Sequence, residues 1–372
     1  MVPLHAMAVC RQLACPRRRA AGSLRWAALL VALLVALLAG FTAAGCGTAA
    51  TAASGSKASP SMRALRVSTS GTEAVLLRAS GTARFVFRFL GSAPATWTWR
   101  VVGYYGAQMA SGSGQTPSPG ATGSVSWDGL ASDGTRADPG LYLVQVGPRG
   151  GAAAAMTTIG LVRYQPPVEA HVYRRLPGAG RRVALTFDDG GGRTAWYWIL
   201  RDLRDAHAKG TFFPIGLYVG DYAKRMAGLT LRDHMAIGSH SWSHPDLTKL
   251  STAQVRFQLQ QVESIWWHDF RASPVPYLRP PYGAYDARTL AIAGEIGYSR
   301  IILWDVDSND WTNPGVKVIV RNVLDHVRPG SIVLMHTRGR TPAALPAIIA
   351  GLQARHYKLV TVPELFRAAG YR

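Results

Sequence analysis

Eight side chains in the C-terminal half of this 372-residue sequence have the types and spacing of a catalytic set. Asp188 and Asp189 follow an apolar run, His240 and His244 stand four apart, and Arg279, Asp305, Asp307 and His336 come later. Two imidazoles with the Asp189 carboxylate compose a catalytic divalent-metal site. Three protein ligands leave a fourth position open, and Zn²⁺ suits the donors, with Co²⁺ as the alternative. The three cysteines, Cys10, Cys15 and Cys46, all precede residue 47, so no thiolate is available to the rest of the chain. Asp188, next to a ligand, is placed to take a proton from water, and a paired Arg279 keeps it ionised. His336 suits a general acid that protonates a leaving nitrogen or oxygen. A carboxylate near it, Asp305 or Asp307, would hold the imidazole protonated, and the two share strand parity. Metal, base and acid together describe hydrolysis of an acyl group.

Such a set works only if elements far apart in sequence bring it together. Apolar runs of strand type at 183–187, 211–215, 235–238, 277–279, 299–306, 331–335 and 357–362 alternate with helical patterns. The helices are expected at 195–207, 221–232, 251–270, 286–296, 316–327 and 342–353, with a short one at the end; Ser251 and Gln254 form a capping box. About seven β/α units in this length predict a parallel barrel rather than an open sheet. Asp188 and Asp189 follow the first strand, His240 and His244 the third. Arg279 closes the fourth, Asp305 and Asp307 end the fifth and His336 the sixth. In a β/α barrel every C-terminal strand end opens on the same face, so all of these residues converge on one mouth. Singly each has a plainer reading, a turn or a core histidine; six placements at one end do not.

Five ordered motifs carry a family resemblance: Thr186-Phe187-Asp188-Asp189-Gly190, His240-Ser241-Trp242-Ser243-His244, Arg279-Pro280-Pro281-Tyr282-Gly283, Asp307-Ser308-Asn309-Asp310-Trp311 and Ile332-Val333-Leu334-Met335-His336. With Lys209-Gly210-Thr211-Phe212-Phe213 they resemble the NodB-type polysaccharide deacetylases, carbohydrate esterase family four. The resemblance spans about 182–367 and implies a distorted (β/α)7 barrel. It implies Asp188 as base, Asp189, His240 and His244 as ligands of one divalent ion, and Arg279 as the partner of Asp188. It further implies Asp307 as the group orienting the acid His336, the Tyr282 backbone N–H at the oxyanion, and Trp311 and Leu334 around the acetyl pocket. The first family motif usually continues with Pro after its Gly; here Gly191 and Gly192 follow, which alters the rim of the substrate groove.

The front of the chain reads differently. Residues 63–165 alternate with period two at 84–89 and 96–101 between Gly, Ser and Pro clusters, predicting a small antiparallel β-sandwich. Its Trp127-Asp128-Gly129 turn and its Pro139-Gly140-Leu141-Tyr142 strand start resemble the immunoglobulin-like domain of the flagellar-hook-cap (FlgD) type. Residues 166–181 read as a linker, and 182–370 as the deacetylase-like domain. Residues 1–46 hold five Arg and a sixteen-residue apolar run, a signal peptide ending at a lipobox-like Cys46; residues 47–62 form a flexible tether. Export, with the mature chain lipid-anchored facing outward or secreted, is therefore expected. The net charge of +20 favours anionic partners such as wall polymers. No nucleic-acid motif is present, and nothing bears on oligomeric state. The expected partners are an acetylated polysaccharide and, through Cys46, a membrane. The expected reaction is N-deacetylation of peptidoglycan or a chitin-like polymer. The alternatives are O-acetyl hydrolysis of xylan-type glycans, or wall binding without catalysis.

Overall fold

The computed structural model describes residues 67–69, 75–78, 83–89, 96–103, 106–115, 122–149, 155–162 and 167–371. The leader, the tether and Cys46 lie outside the described residues. The front module is all-β and consists of two sheets. One has the order β1 (Val67–Thr69), β3 (Ala83–Phe89), β6 (Thr122–Trp127). The other runs β2 (Val75–Arg78), β8 (Ala155–Val162), β7 (Gly140–Pro148), β4 (Thr96–Val102), β5 (Gln108–Gln115). Phe87, Trp97, Val101, Val125, Trp127, Tyr142, Val144 and Val146 form their common core, which is why both sheets alternate with period two. Tyr142 donates its hydroxyl hydrogen to the carbonyl of Asp138 at 2.7 Å, and burial pushes its phenol up.

The second module is a β/α barrel. Its principal sheet is ordered β12 (Ala236–Ile237), β11 (Gly210–Pro214), β10 (Arg182–Asp189), β16 (Ile332–His336), β15 (Val306–Asp307), all parallel. β17 (Lys358–Leu359) pairs with the start of β10. A parallel bridge between Ser239 and Leu278 continues the curve to β13 (Tyr277–Leu278), β14 (Arg300–Ile302) and β9 (His171–Tyr173). β10 is buried on both faces, as a central parallel strand must be, so it reads as a near-continuous apolar run. Its register sets the site. Asp188 is paired with His336 and Thr186 with Leu334, so all four point to the same face. Phe187 and Met335 point the other way, into the layer between barrel and helices.

Helices cover that outer layer: α1 (Arg193–Asp205), α2 (Gly216–Gly220), α3 (Lys224–Arg232), α4 (Thr252–Phe270), α5 (Ala287–Ile296), α6 (Val316–Leu324), α7 (Thr341–Ala354) and α8 (Val362–Ala368). Trp196, Ile199, Leu200 and Leu203 make the apolar stripe of α1 at helical spacing, and all four are buried. The capping box of α4 is present as Ser251 and Gln254 predict.

Two expectations change. Residues 166–181 are not solely a linker, because β9 adds a strand to the barrel. The run 299–306 is not one strand either: it breaks into β14 and β15, which lie in different sheets. Asp305 is the cause on one side, accepting from the Ile332 N–H and the Ser331 hydroxyl at 3.0 Å each. On the other, the carbonyls of Ile302 and Leu303 turn toward Arg279.

Candidate active site

Arg279 is fully buried, and its guanidinium is used on every side. Nη1 donates to Asp188 Oδ1 at 2.7 Å and to Thr186 Oγ1 at 2.8 Å; Nε donates to the Ile302 carbonyl at 3.0 Å and Nη2 to that of Leu303 at 3.3 Å. Phe213 lies 4.4 Å from its guanidinium carbon, a cation–π contact in a dry site. The broken fifth strand therefore exists to turn two carbonyls toward this cation. Burial pushes the Asp188 carboxyl up from its ordinary value, while Arg279 pulls it the other way. A carboxylate so placed is a stronger base than an exposed one.

Asp189, one residue on, leaves the strand with φ 77°, a conformation that side chains other than Gly rarely adopt. The turn moves its carboxylate away from that of Asp188 and toward the loop after β12. There His240 is 3% exposed, and its Nδ1 lies 2.8 Å from the Arg279 carbonyl. Since the carbonyl only accepts, Nδ1 carries the hydrogen and Nε2 keeps its lone pair. Burial first, and the neighbouring His244 second, push the His240 pKa down to about 3, so the ring is neutral. His244 is also lowered, chiefly by burial. Ser241 and His244 both have positive φ, and the His244 N–H donates to Ser241 Oγ at 3.0 Å. Gln258 on α4 holds the same loop by accepting from the Ser243 N–H at 2.9 Å. Backbone strain gathered in this way is characteristic of sites whose geometry is set by surrounding contacts.

The Nε2 atoms of His240 and His244 each lie 3.9 Å from Asp189 Oδ1. One ligand atom from each residue falls within 4.8 Å of the others. Ligands about 2.0–2.1 Å from a tetrahedral ion stand about 3.4 Å apart, so small side-chain rotations close the triad on a divalent ion. Two neutral imidazoles, that of His240 with its Nε2 lone pair free, and a carboxylate are the donors such an ion takes. The residues fit a metal.

His336 enters from the neighbouring strand. Its Nδ1 lies 2.7 Å from Asp310 Oδ1, and its N–H donates to Asp310 Oδ2 at 2.7 Å. Asp310 also accepts from the Thr341 hydroxyl. The anticipated partner, Asp307, does not make this contact: its Oδ1 accepts from the Asn309 N–H at 2.7 Å. The correction has a simple cause. The strand ends at Asp307, and Asn309 takes a left-handed conformation that opens the 3-10 turn Asp310–Thr312. Asp310 thus folds back beneath His336, and strand parity beyond residue 307 has no meaning. Asp305 is not available either, since it clamps the base of β16. Burial works against the His336 imidazolium, yet the Asp310 hydrogen bond and the charges of Asp188, Asp310 and Asp189 raise its pKa.

The remaining expected residues lie at the mouth. Tyr282 is 70% exposed, has φ 60°, and stacks edge-on to His244 at 4.7 Å. Its backbone N–H donates to no backbone carbonyl among the described residues. Trp311 is 55% exposed on the rim, and Leu334 is buried two residues before His336. Sequence reasoning missed Asp310, Thr186, Gln258, Thr337 and Arg338. Thr337 donates through N and Oγ1 to the Asp188 carbonyl, 3.1 Å each, and Arg338 Nε lies 3.5 Å from Asp189 Oδ2. Only Asp310 left a signal, as the acid of an Asp-Ser-Asn-Asp turn sequence.

Comparison with known proteins covers the same half of the chain. The family model described as polysaccharide deacetylase matches residues 176–301. A chitooligosaccharide deacetylase of Azorhizobium caulinodans is 32% identical over 196 residues, 49% of this chain and 92% of that protein. The peptidoglycan-N-acetylglucosamine deacetylase PgdA of Listeria monocytogenes is 36% identical over 190 residues, 50% of this chain but 39% of its own length. Among solved structures, the Bc1960 peptidoglycan N-acetylglucosamine deacetylase aligns with a TM-score of 0.50 at 30% identity, covering 54% of this chain and 95% of that one. With the barrel, the five motifs and a relative matched over nearly its whole length, the chain belongs to the polysaccharide deacetylase family, carbohydrate esterase family four.

Proposed function

We propose that this chain is an exported, metal-dependent hydrolase that removes N-acetyl groups from amino sugars of a cell-wall polysaccharide, peptidoglycan first and chitin-like polymers second. The observation that carries the reading is the pairing across β10 and β16. Asp188 held by Arg279 stands beside His336 held by Asp310, and the Asp189–His240–His244 triad adjoins both.

In this reading Asp188 takes the proton of the attacking water as its oxygen bonds to the acetyl carbon. The Tyr282 N–H donates to the oxyanion that develops. His336 is protonated at both nitrogens; it keeps Nδ1–H on Asp310 and gives the Nε2 proton to the sugar nitrogen as the C–N bond breaks. Acetate and a free amine result. An amide nitrogen departs only when protonated, so a well-held imidazolium favours an amide over an ester. Leu334 and Trp311 wall the acetyl group. A divalent ion held by Asp189, His240 and His244, Zn²⁺ on this donor set, supplies Lewis acidity that polarises the carbonyl and acidifies water. The front module is an immunoglobulin-like domain of the FlgD type, and the leader delivers the chain to the outer face of the membrane, with Cys46 as the lipid anchor.

Acetate release tests the reading. Full-length protein loaded with Zn²⁺ or Co²⁺ is expected to release acetate from N-acetylglucosamine polymers and peptidoglycan, and to lose this on chelation. Metal-loaded protein that releases none from either would overturn it, and release from acetylated xylan alone would assign O-ester hydrolysis instead.

A further inference from the structure

The loops after β10 and β16 are sealed together beside the metal-ligand triad. The Gly190 N–H donates to Thr337 Oγ1 at 2.8 Å, and a Cβ on Gly192 would lie 2.3 Å from the Thr337 carbonyl oxygen. This contact is where the chain departs from its family motif, with Gly191 and Gly192 in place of Pro. The seam has a consequence for the next residue on each side, because both are arginines: Arg193 and Arg338.

Arg338 is half-exposed and reaches Asp189 Oδ2 through Nε at 3.5 Å, while Asp189 Oδ1 faces the imidazoles. Arg193 is exposed and lies with its guanidinium carbon 5.6 Å from the Tyr222 ring centroid; Tyr222 in turn donates to the Gly191 carbonyl at 3.2 Å. Neither guanidinium makes a hydrogen bond through its terminal nitrogens among the described residues. Arg193 also occupies the first helical position of α1, where the helix dipole disfavours a cation, so helix stability does not explain it. Two forked donors at the rim of a glycan-cleaving site match a planar oxyanion.

Resting on the deacetylase reading, we propose that Arg193 and Arg338 form a cationic rim that recognises a carboxylate on the glycan, so that carboxylate-bearing strands are preferred over neutral ones. Peptide-free peptidoglycan strands, in which every second sugar carries a free ether-linked carboxylate, fit the rim; a chitin-like polymer, or strands whose carboxyls are tied up in amides, do not.

The test compares kcat/KM of the full-length, metal-loaded protein on three substrates: peptide-free peptidoglycan strands, the same strands with carboxylates amidated, and N-acetylglucosamine oligomers. The wild type is expected to prefer the free-carboxylate strands by about tenfold or more, with the preference shrinking as salt rises. In R193Q/R338Q the carboxylate-to-amidated ratio is expected to fall toward one, with metal content measured alongside. The ratio separates selectivity from any general loss of rate through Asp189. A wild type that treats both strands alike, or a double variant that keeps the ratio, overturns the rim while leaving the deacetylase reading intact. No acetate from any of the three substrates overturns both.

Discussion

His336 sits where burial opposes its own charge, and the carboxylates around it reverse the balance. Its raised pKa has a definite sign in the rate. In the proposed role of general acid His336 must be protonated, so activity is expected to be lost as pH rises through its pKa. In Asp310→Asn the favourable hydrogen bond weakens, and the alkaline limb of the pH–rate profile is expected to move toward lower pH, with kcat falling about tenfold to a hundredfold. Asp307→Asn, which leaves Asp310 in place, is expected to keep the limb where it is; the reverse ranking would restore Asp307 as the partner. The gathering of Asp188, Asp189, His240 and His244 is legible because the two aspartates end β10 and the two histidines lie on the loop that follows β12. Asp310 is not, because Ser308 and left-handed Asn309 separate it from the strand, and Asn309 decides where it points.

Elements as short as β9 and β15, with three and two residues, carry no period that a sequence can display. What specifies them is contact with others: Asp305 at the foot of β16, and Arg279 drawing in the carbonyls of Ile302 and Leu303. Helix α1 and strand β10, by contrast, announce themselves through an apolar stripe and a buried run. The glycine seam belongs to this scale as well. Gly192 has an ordinary φ of −101°, so space and not backbone freedom demands glycine there. Gly192→Ala is expected to push the loops after β10 and β16 apart and to destabilise the fold by about 1–3 kcal/mol. Thermal unfolding of the purified variant measures it, and an unchanged midpoint would show that the seam is looser than its geometry.

Across the whole molecule, α4 joins the two modules. Its middle is buried on all sides, including the polar Gln260, Gln261, Glu263 and Ser264. The start of β7 covers it at Ser264. The Leu141 N–H donates to Ser264 Oγ at 2.6 Å, and a Cβ on Gly140, where φ is 142°, would lie 2.1 Å from that oxygen. Arg271 at the end of the helix pairs with Asp138 at 2.6 Å. The front module is thus packed against the barrel, an arrangement no pattern in either half foretells. The two contacts differ in weight. Arg271 and Asp138 are both well exposed, so Arg271→Ala is expected to change stability by less than about 1 kcal/mol. Gly140→Ala meets both a steric clash and a backbone conformation that favours glycine, and is expected to cost about 1–3 kcal/mol. Unfolding midpoints that rank the two substitutions the other way would contradict this docking.

The account turns on one base working beside one ion, and Asp188→Asn separates the two. Metal stoichiometry and acetate release are measured together on the full-length variant loaded with Zn²⁺. The account predicts one ion per chain, as in the wild type, with turnover on N-acetylglucosamine oligomers reduced at least about a hundredfold. Undiminished turnover with the ion in place would contradict it.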